Sequence, residues 1–193
     1  ITAQNYDRLA ESAAWNGWAA EQALLERLDA RVLTLADAAY PARLREIIDP
    51  PPVLYVRGDL TAADDYAIAV VGSRRASTYG RQVAEEIARD LARAGAVVVS
   101  GLARGVDAAA HKGALAVGGR TIAVLGCGID QCYPPEHAGL CDSVVAQGAL
   151  ISEFAIGAGP DRPSMKLCSS SPPRFTTAKG RAASSAAAAG TEP

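Results

Sequence analysis

Two short segments carry the residue types that can hold a phosphate. Gly72-Ser73-Arg74-Arg75 and Ser100-Gly101-Leu102-Ala103-Arg104-Gly105 each combine glycine, serine and arginine. Glycine lets an anion approach backbone N–H groups closely, and a helix starting just beyond adds partial positive charge. Arginine brings a forked, permanently charged donor set that suits phosphate oxygens. The chemistry these segments predict is anion binding, with the glycines giving access and Arg74, Arg75 and Arg104 supplying the donors.

Such residues need elements that bring them to one place. The apolar run Ile68–Val71 stops at the first segment, and Ala96–Val99 stops at the second. Both runs are β-branched and lack polar alternation, as in strands covered on both faces of a parallel sheet. Between them Val83, Ile87 and Leu91 form a helical stripe, and Gly95 stands where a C-cap glycine belongs. A right-handed crossover then places both strand ends on the same sheet edge, where open α/β sheets bind ligands. The alternation continues. Asp107 is placed to cap a helix running to about Val117, closed by Gly118-Gly119. Thr121–Leu125 is a third strand, Tyr133-Pro134-Pro135-Glu136 a loop into a helix, and Ala149–Ile151 a fourth strand. This predicts an α/β fold with a doubly wound, mostly parallel Rossmann-like sheet.

Upstream, residues 1–60 read as a small helical lead-in. Leu24, Leu25, Leu28 and Val32 make one stripe, and Pro41 opens a short helix carrying Leu44, Ile47 and Ile48 inward. Asp49-Pro50-Pro51-Pro52 stops it, and Val53–Val56 forms a short strand. Trp15 and Trp18 read as packing residues. The main domain spans residues 61–157, and residues 158–193 form a tail dense in Ser, Ala, Pro and Thr, which is expected to be disordered.

Net charge over the 193 residues is −2, but its distribution is uneven. Residues 1–66 hold six basic and eleven acidic side chains, whereas residues 67–120 hold eight basic and four acidic. Residues 121–160 hold four acids and no Lys or Arg. A positive crest on an acidic body makes a local field of the kind that steers a polyanion. Arg81, Arg89 and Arg93 are assigned to a solvated helix face. No apolar run reaches membrane-span length and no signal peptide opens the chain, so the protein reads as cytoplasmic. Its first residue, Ile1, fits an excerpt of something longer.

Two other constellations invite chemistry. The spacings of Cys127, Cys132, His137 and Cys141 invite a zinc knuckle, the first two as a C-x₄-C pair. Cys127 ends an apolar strand, however, and Cys141 sits on an apolar helix, so the cysteines read as reduced core thiols, with no metal. Asp107 and His111 form an i,i+4 pair that reads as a capping Asp with a helix-surface His. No Walker motif is present, and no nucleophile–base spacing.

At GSRRASTYGRQVA and SGLARGVDAAAHKGAL the chain resembles the DprA/Smf family of bacterial DNA-processing proteins. YPARLREIIDPPPVLYVRGDL upstream, and GGRTIAVLGCGIDQCYPPEHAGL and QGALISEF downstream, extend the likeness over residues 30–156. The resemblance implies a Rossmann-like domain that binds single-stranded DNA through a basic pocket and helps load the RecA recombinase during natural transformation. By motif, Gly72, Ser73 and Arg74 would meet DNA phosphates, joined by Gly101; Arg104 and Lys112 follow from position. The resemblance implies no catalytic residue, no nucleotide cofactor and no membrane association, and a homodimer is a possible assembly.

The likeness stops near Gly157. There the family continues with a basic FPRRNR-like motif, a helix and a valine-rich strand. The expectation is a truncated or frameshifted copy with an incomplete sheet, since Ser169-Ser170-Ser171 encoded by repeated TCG would read as valines in a shifted frame. Three functional readings stay open: a single-stranded DNA-binding recombination mediator, a Rossmann-like enzyme acting on a nucleotide or ribose phosphate, and a nonfunctional remnant. The carboxylate-poor crest, with only Asp107 and Asp130 nearby, favours the first.

Overall fold

Three β-branched or alanine-rich runs and their glycine stops generate most of the architecture. A computed structural model describes residues 17–160. Trp15, the side chain of Trp18 and residues 161–193 lie outside the described residues, and with them the tryptophan and tail expectations. The elements are α1 (Gly17–Leu28), β1 (Ala30–Thr34), α2 (Ala42–Arg45), β2 (Val53–Gly58), a 3₁₀ turn (Ala62–Tyr66), β3 (Ala67–Ala69) and α3 (Thr78–Arg93). They continue with β4 (Val97–Ser100), α4 (Val106–Leu115), β5 (Thr121–Leu125), a second 3₁₀ turn (Pro135–His137), α5 (Ala138–Gln147) and β6 (Ala149–Ser152). One six-stranded sheet holds the strands in the order β1-β2-β6-β5-β4-β3. Strands β3 to β6 run parallel, while β1 pairs β2, and β2 pairs β6, antiparallel. The α/β class and the mostly parallel Rossmann-like sheet are as expected.

Alternation along the strands sends Val98, Ala123, Leu125 and Leu150 to one face. There Val98 packs with Ala88, Ala110 and Ala114, and Leu125 and Leu150 pack with Cys141 and Val144. Helices α3, α4 and α5 therefore share a face, so the described residues contain one winding of the two expected. On the other face Val97, Ile122, Val124 and Ile151 pack with Leu33, Tyr40, Leu44 and Leu54. Toward β3 this second face opens into a cleft of about 370 Å³ bordered by Ala67, Ala69 and Val99. Among the described residues β3 is paired on one side only.

Several local expectations are corrected. The helical lead-in ends at Leu28, because Asp29 takes a left-handed conformation (φ 50°) that Asp tolerates better than most residues. Val32 therefore lies in β1, paired with Tyr55, and residues 30–58 supply two strands of the sheet. Helix α2 is only four residues long, so the turn that would carry Ile48 inward is missing and Ile48 is 89% exposed. Strand β3 ends earlier than the apolar run, leaving Val71 exposed at the turn. In α3 the buried positions are Ala84 and Ala88, and Ile87 faces solvent, because α3 meets α4 through small residues. A Cβ on Gly113 would come within 2.1 Å of the Glu85 carbonyl oxygen.

Other expectations hold. Gly95 (φ 84°) closes α3 with paired bonds, Gly95 N–H to Ala92 O and Ala96 N–H to Leu91 O, both 3.0 Å. That is the Schellman pattern. Ser77 caps the other end of α3 by accepting from Gly80 N–H at 3.0 Å. Cys132 and Cys141, expected as free thiols, form a disulfide, because the Pro135–His137 turn folds the chain back until their Cα atoms are 6.6 Å apart. Among the described residues Cys127 alone is free, and it is buried.

Candidate functional site

Parallel pairing of Ala69 with Val99 sets the ends of β3 and β4 side by side. The two glycine-arginine turns leave from those ends and interlock. Val106 N–H, in the first turn of α4, donates to the Ser73 carbonyl at 3.3 Å. Gly105 sits at φ 86°, and a Cβ there would stand 2.2 Å from the same Ser73 oxygen. A Cβ on Gly72 would meet Val106 Cγ2 at 2.7 Å. Only glycine fits either place: Gly105 brings backbone against backbone, and Gly72 lets its backbone lie against the Val106 side chain. Between them Leu102 is fully buried in the left-handed region (φ 58°), an unusual conformation for a bulky residue that the packed turn enforces.

Asp107 corrects the capping expectation. Gly105 is the residue before α4, and Asp107 lies inside its first turn, 4% exposed. Its carboxylate accepts backbone N–H groups from Gly72, Gly101 and Ala103. Burial pushes its pKa up, against the pull of those bonds and of the Arg74 charge. Asp107 thereby staples both turns from beneath. The amides of Gly72 and Gly101, which the sequence offered as anion donors, already face this carboxylate.

Side chains supply what faces outward. Arg74 and Arg75 are exposed, and among the described residues neither forms a salt bridge. Ser73 Oγ accepts the Arg75 N–H at 3.1 Å, which leaves its hydroxyl proton for another acceptor. Arg104 stands on the far side of the crest, its Nε 2.5 Å from Glu136 Oε1. The Tyr133 hydroxyl also approaches Arg104, and the Tyr133 ring is 45% exposed. His137 Nδ1–H donates to the Leu102 carbonyl at 2.8 Å and so ties this second segment to the β4 turn. The crest thus gathers Gly72, Ser73, Arg74, Gly101 and Arg104. Lys112 is not with them: it lies in the last turn of α4, about 9 Å along the helix axis from Val106.

Beneath the crest His111 is fully buried, not on the helix surface as expected, because α4 is enclosed by α3, α5 and the sheet. Its Nδ1 is 2.8 Å from Thr121 Oγ1, whose own proton goes to the Val98 carbonyl at 2.7 Å. The ring must therefore donate from Nδ1. Desolvation pulls its pKa down to about 4. The residues that sequence reasoning missed are Asp107 in its stapling role, Tyr133 and Glu136. Only the loop signal Tyr133-Pro134-Pro135-Glu136 marked the last two, and nothing in their spacing ties them to Arg104.

The sequence pattern of the family described as DNA recombination-mediator protein A matches residues 31–166. The chain is 42% identical over 134 residues to the protein Smf of Synechocystis, a match covering 67% of this chain and 34% of that one. It is similar to the X-ray structure of DNA processing protein A from Streptococcus pneumoniae, with a TM-score of 0.64 and 38% identity over 72% of this chain and 50% of that one. A second similar structure, with a TM-score of 0.58 and 34% identity, is the DNA processing protein A of Helicobacter pylori, described for its single-stranded DNA binding mode. That match covers 67% of this chain and 59% of the other. The chain spans 34% to 45% of the length of the curated relatives it matches.

Proposed function

The chain belongs to the DprA/Smf family of DNA-processing proteins, and from that premise we propose that its crest binds the phosphates of single-stranded DNA. The observation that carries this reading is the interlocked pair of turns, which presents the guanidiniums of Arg74 and Arg75 and the Ser73 hydroxyl on one exposed sheet edge. Gly72 and Gly101 let the strand approach, and Arg104 extends the basic track toward Tyr133, whose open ring offers a stacking surface beside it. Lys112, about 9 Å down α4 from the crest, is left out of that track. The two carboxylates an enzyme would need at this edge are already engaged: Asp107 by three backbone amides, and Asp130 Oδ1 by Gly157 N–H at 2.9 Å. This favours a binder over a nucleotide-processing enzyme.

In the wider role, DNA held on the crest is DNA entering by natural transformation, and the partner that follows is a RecA-type recombinase in the cytoplasm. Among the described residues no helix is long and apolar enough to cross a membrane. Homodimerisation is the assembly the family resemblance suggests. Titration of a fluorescent single-stranded oligonucleotide at low and moderate salt tests the DNA reading. Salt-sensitive binding that Arg74→Ala weakens at least tenfold is expected. Binding unaffected by Arg74→Ala would move the site off the crest, and no binding while a full-length relative binds would place the essential contacts beyond this chain.

A further inference from the structure

One arginine of the crest is already occupied. Arg104 Nε and Glu136 Oε1 are 2.5 Å apart although the two side chains are 57% and 51% exposed. An ion pair so open to water contributes little to folding. Yet its geometry is built. Glu136 sits in the Pro135–His137 turn, and the next residue, His137, is bonded to the Leu102 carbonyl two positions before Arg104. One tether therefore delivers the carboxylate to the guanidinium. Glu136 is also one of only four acids in residues 121–160, a stretch without Lys or Arg, and it is brought onto the basic crest. The contact takes Nε, one of the donor positions a phosphate would use for two-pronged binding.

We propose that Glu136 is a carboxylate latch on the crest: it holds Arg104 in the free chain and yields it to a phosphate of an arriving single strand. This rests on the DNA reading above and states how that site is regulated. A carboxylate and a phosphodiester each carry one negative charge, so replacing Glu136 by an isolated phosphate gains almost nothing. A strand already held at Arg74 presents its next phosphates at high effective concentration, and then the exchange runs forward. The latch makes the crest discriminate against short fragments that present a single phosphodiester and in favour of a continuous polyanion.

The test uses fluorescence anisotropy with a single-stranded oligonucleotide over a salt series, on the full chain and on Glu136→Gln, Arg104→Ala and the double variant. Glu136→Gln is expected to bind roughly three- to tenfold tighter at low salt, with a nearly unchanged log–log salt slope, because Arg104 meets a phosphate in both bound complexes. The double variant is expected to bind as Arg104→Ala does. Tightening of the same size in the Arg104→Ala background would mean that only a nearby negative charge had been removed, and the latch is overturned. Glu136→Gln binding like the unaltered chain overturns the latch and leaves the DNA reading standing. Binding by neither protein removes both, whereas binding by Glu136→Gln alone upholds both and makes the latch dominant.

Discussion

Acidification should weaken the fold through His111, by an amount the structure sets. The ring is fully buried, with its pKa lowered from 6.5 to about 4 by desolvation. Above pH 6.5 the ring is neutral whether the chain is folded or unfolded, and it adds no pH dependence. As pH falls below 6.5 the unfolded chain takes up a proton that the folded chain refuses, so stability drops until the folded ring itself protonates near pH 4. A difference of about 2.5 pKa units at 1.36 kcal/mol each gives a loss of roughly 3 kcal/mol across that window. Against a typical total of about 5–15 kcal/mol, this is a large share. Asp107 acts in the opposite sense, since its raised pKa favours the folded state as pH falls.

The assay is urea unfolding at several pH values between 7 and 4, for the unaltered chain and for His111→Gln. Glutamine can keep a donor toward Thr121 but cannot titrate. The variant can be less stable at every pH; the reading is the slope. The unaltered chain should lose roughly 3 kcal/mol more than the variant between pH 6.5 and 4. In parallel, the His111 ring resonance should stay constant down to about pH 4. Equal slopes, or a His111 ring that titrates near 6.5, would refute the reasoning, because either means the ring reaches water in the folded state.

Two further substitutions probe the crest itself. Gly105→Ala must place a Cβ against the Ser73 oxygen at positive φ, and we expect a loss of at least about 2 kcal/mol by thermal unfolding, together with weakened oligonucleotide binding. Asp107→Asn puts an NH₂ donor where backbone N–H groups converge, and urea unfolding should show about 2–3 kcal/mol lost at pH 7. An Asp107→Asn chain of unchanged stability would mean that the amides of Gly72, Gly101 and Ala103 find other acceptors.

The strand ends were legible in the sequence because their signals are local. A β-branched run that stops at glycine and arginine needs no distant information, and parallel pairing then brings two such stops together. What escaped reading depends on fit rather than on residue size. Ala84, Ala88 and Gly113 make the α3–α4 contact through close approach, so the larger Ile87 misdirected the stripe outward-for-inward. His111 lies on a helix enclosed on nearly every side, where an alanine-rich sequence shows no apolar face to read. Strand β1 escaped because Val32 continues the spacing of Leu24, Leu25 and Leu28, and only the backbone reversal at Asp29 breaks it. Glu136 meets Arg104 from 32 residues away, which no motif spacing records.

The staple at Asp107 bears on how the crest can recognise anything. In many phosphate-binding turns the backbone N–H groups themselves form the cradle. Here the amides of Gly72, Gly101 and Ala103 point inward at a buried carboxylate, which fixes the shape of both turns before any ligand arrives. Recognition then falls to long side chains on a rigid base: Arg74 and Arg75 open to solvent, and Arg104 held by Glu136. Side chains of that kind follow a flexible, irregular strand better than a rigid amide cradle does, but they contribute mainly charge, which salt screens. Preorganised turns carrying long cationic side chains are therefore suited to a polyanion gripped without regard to sequence.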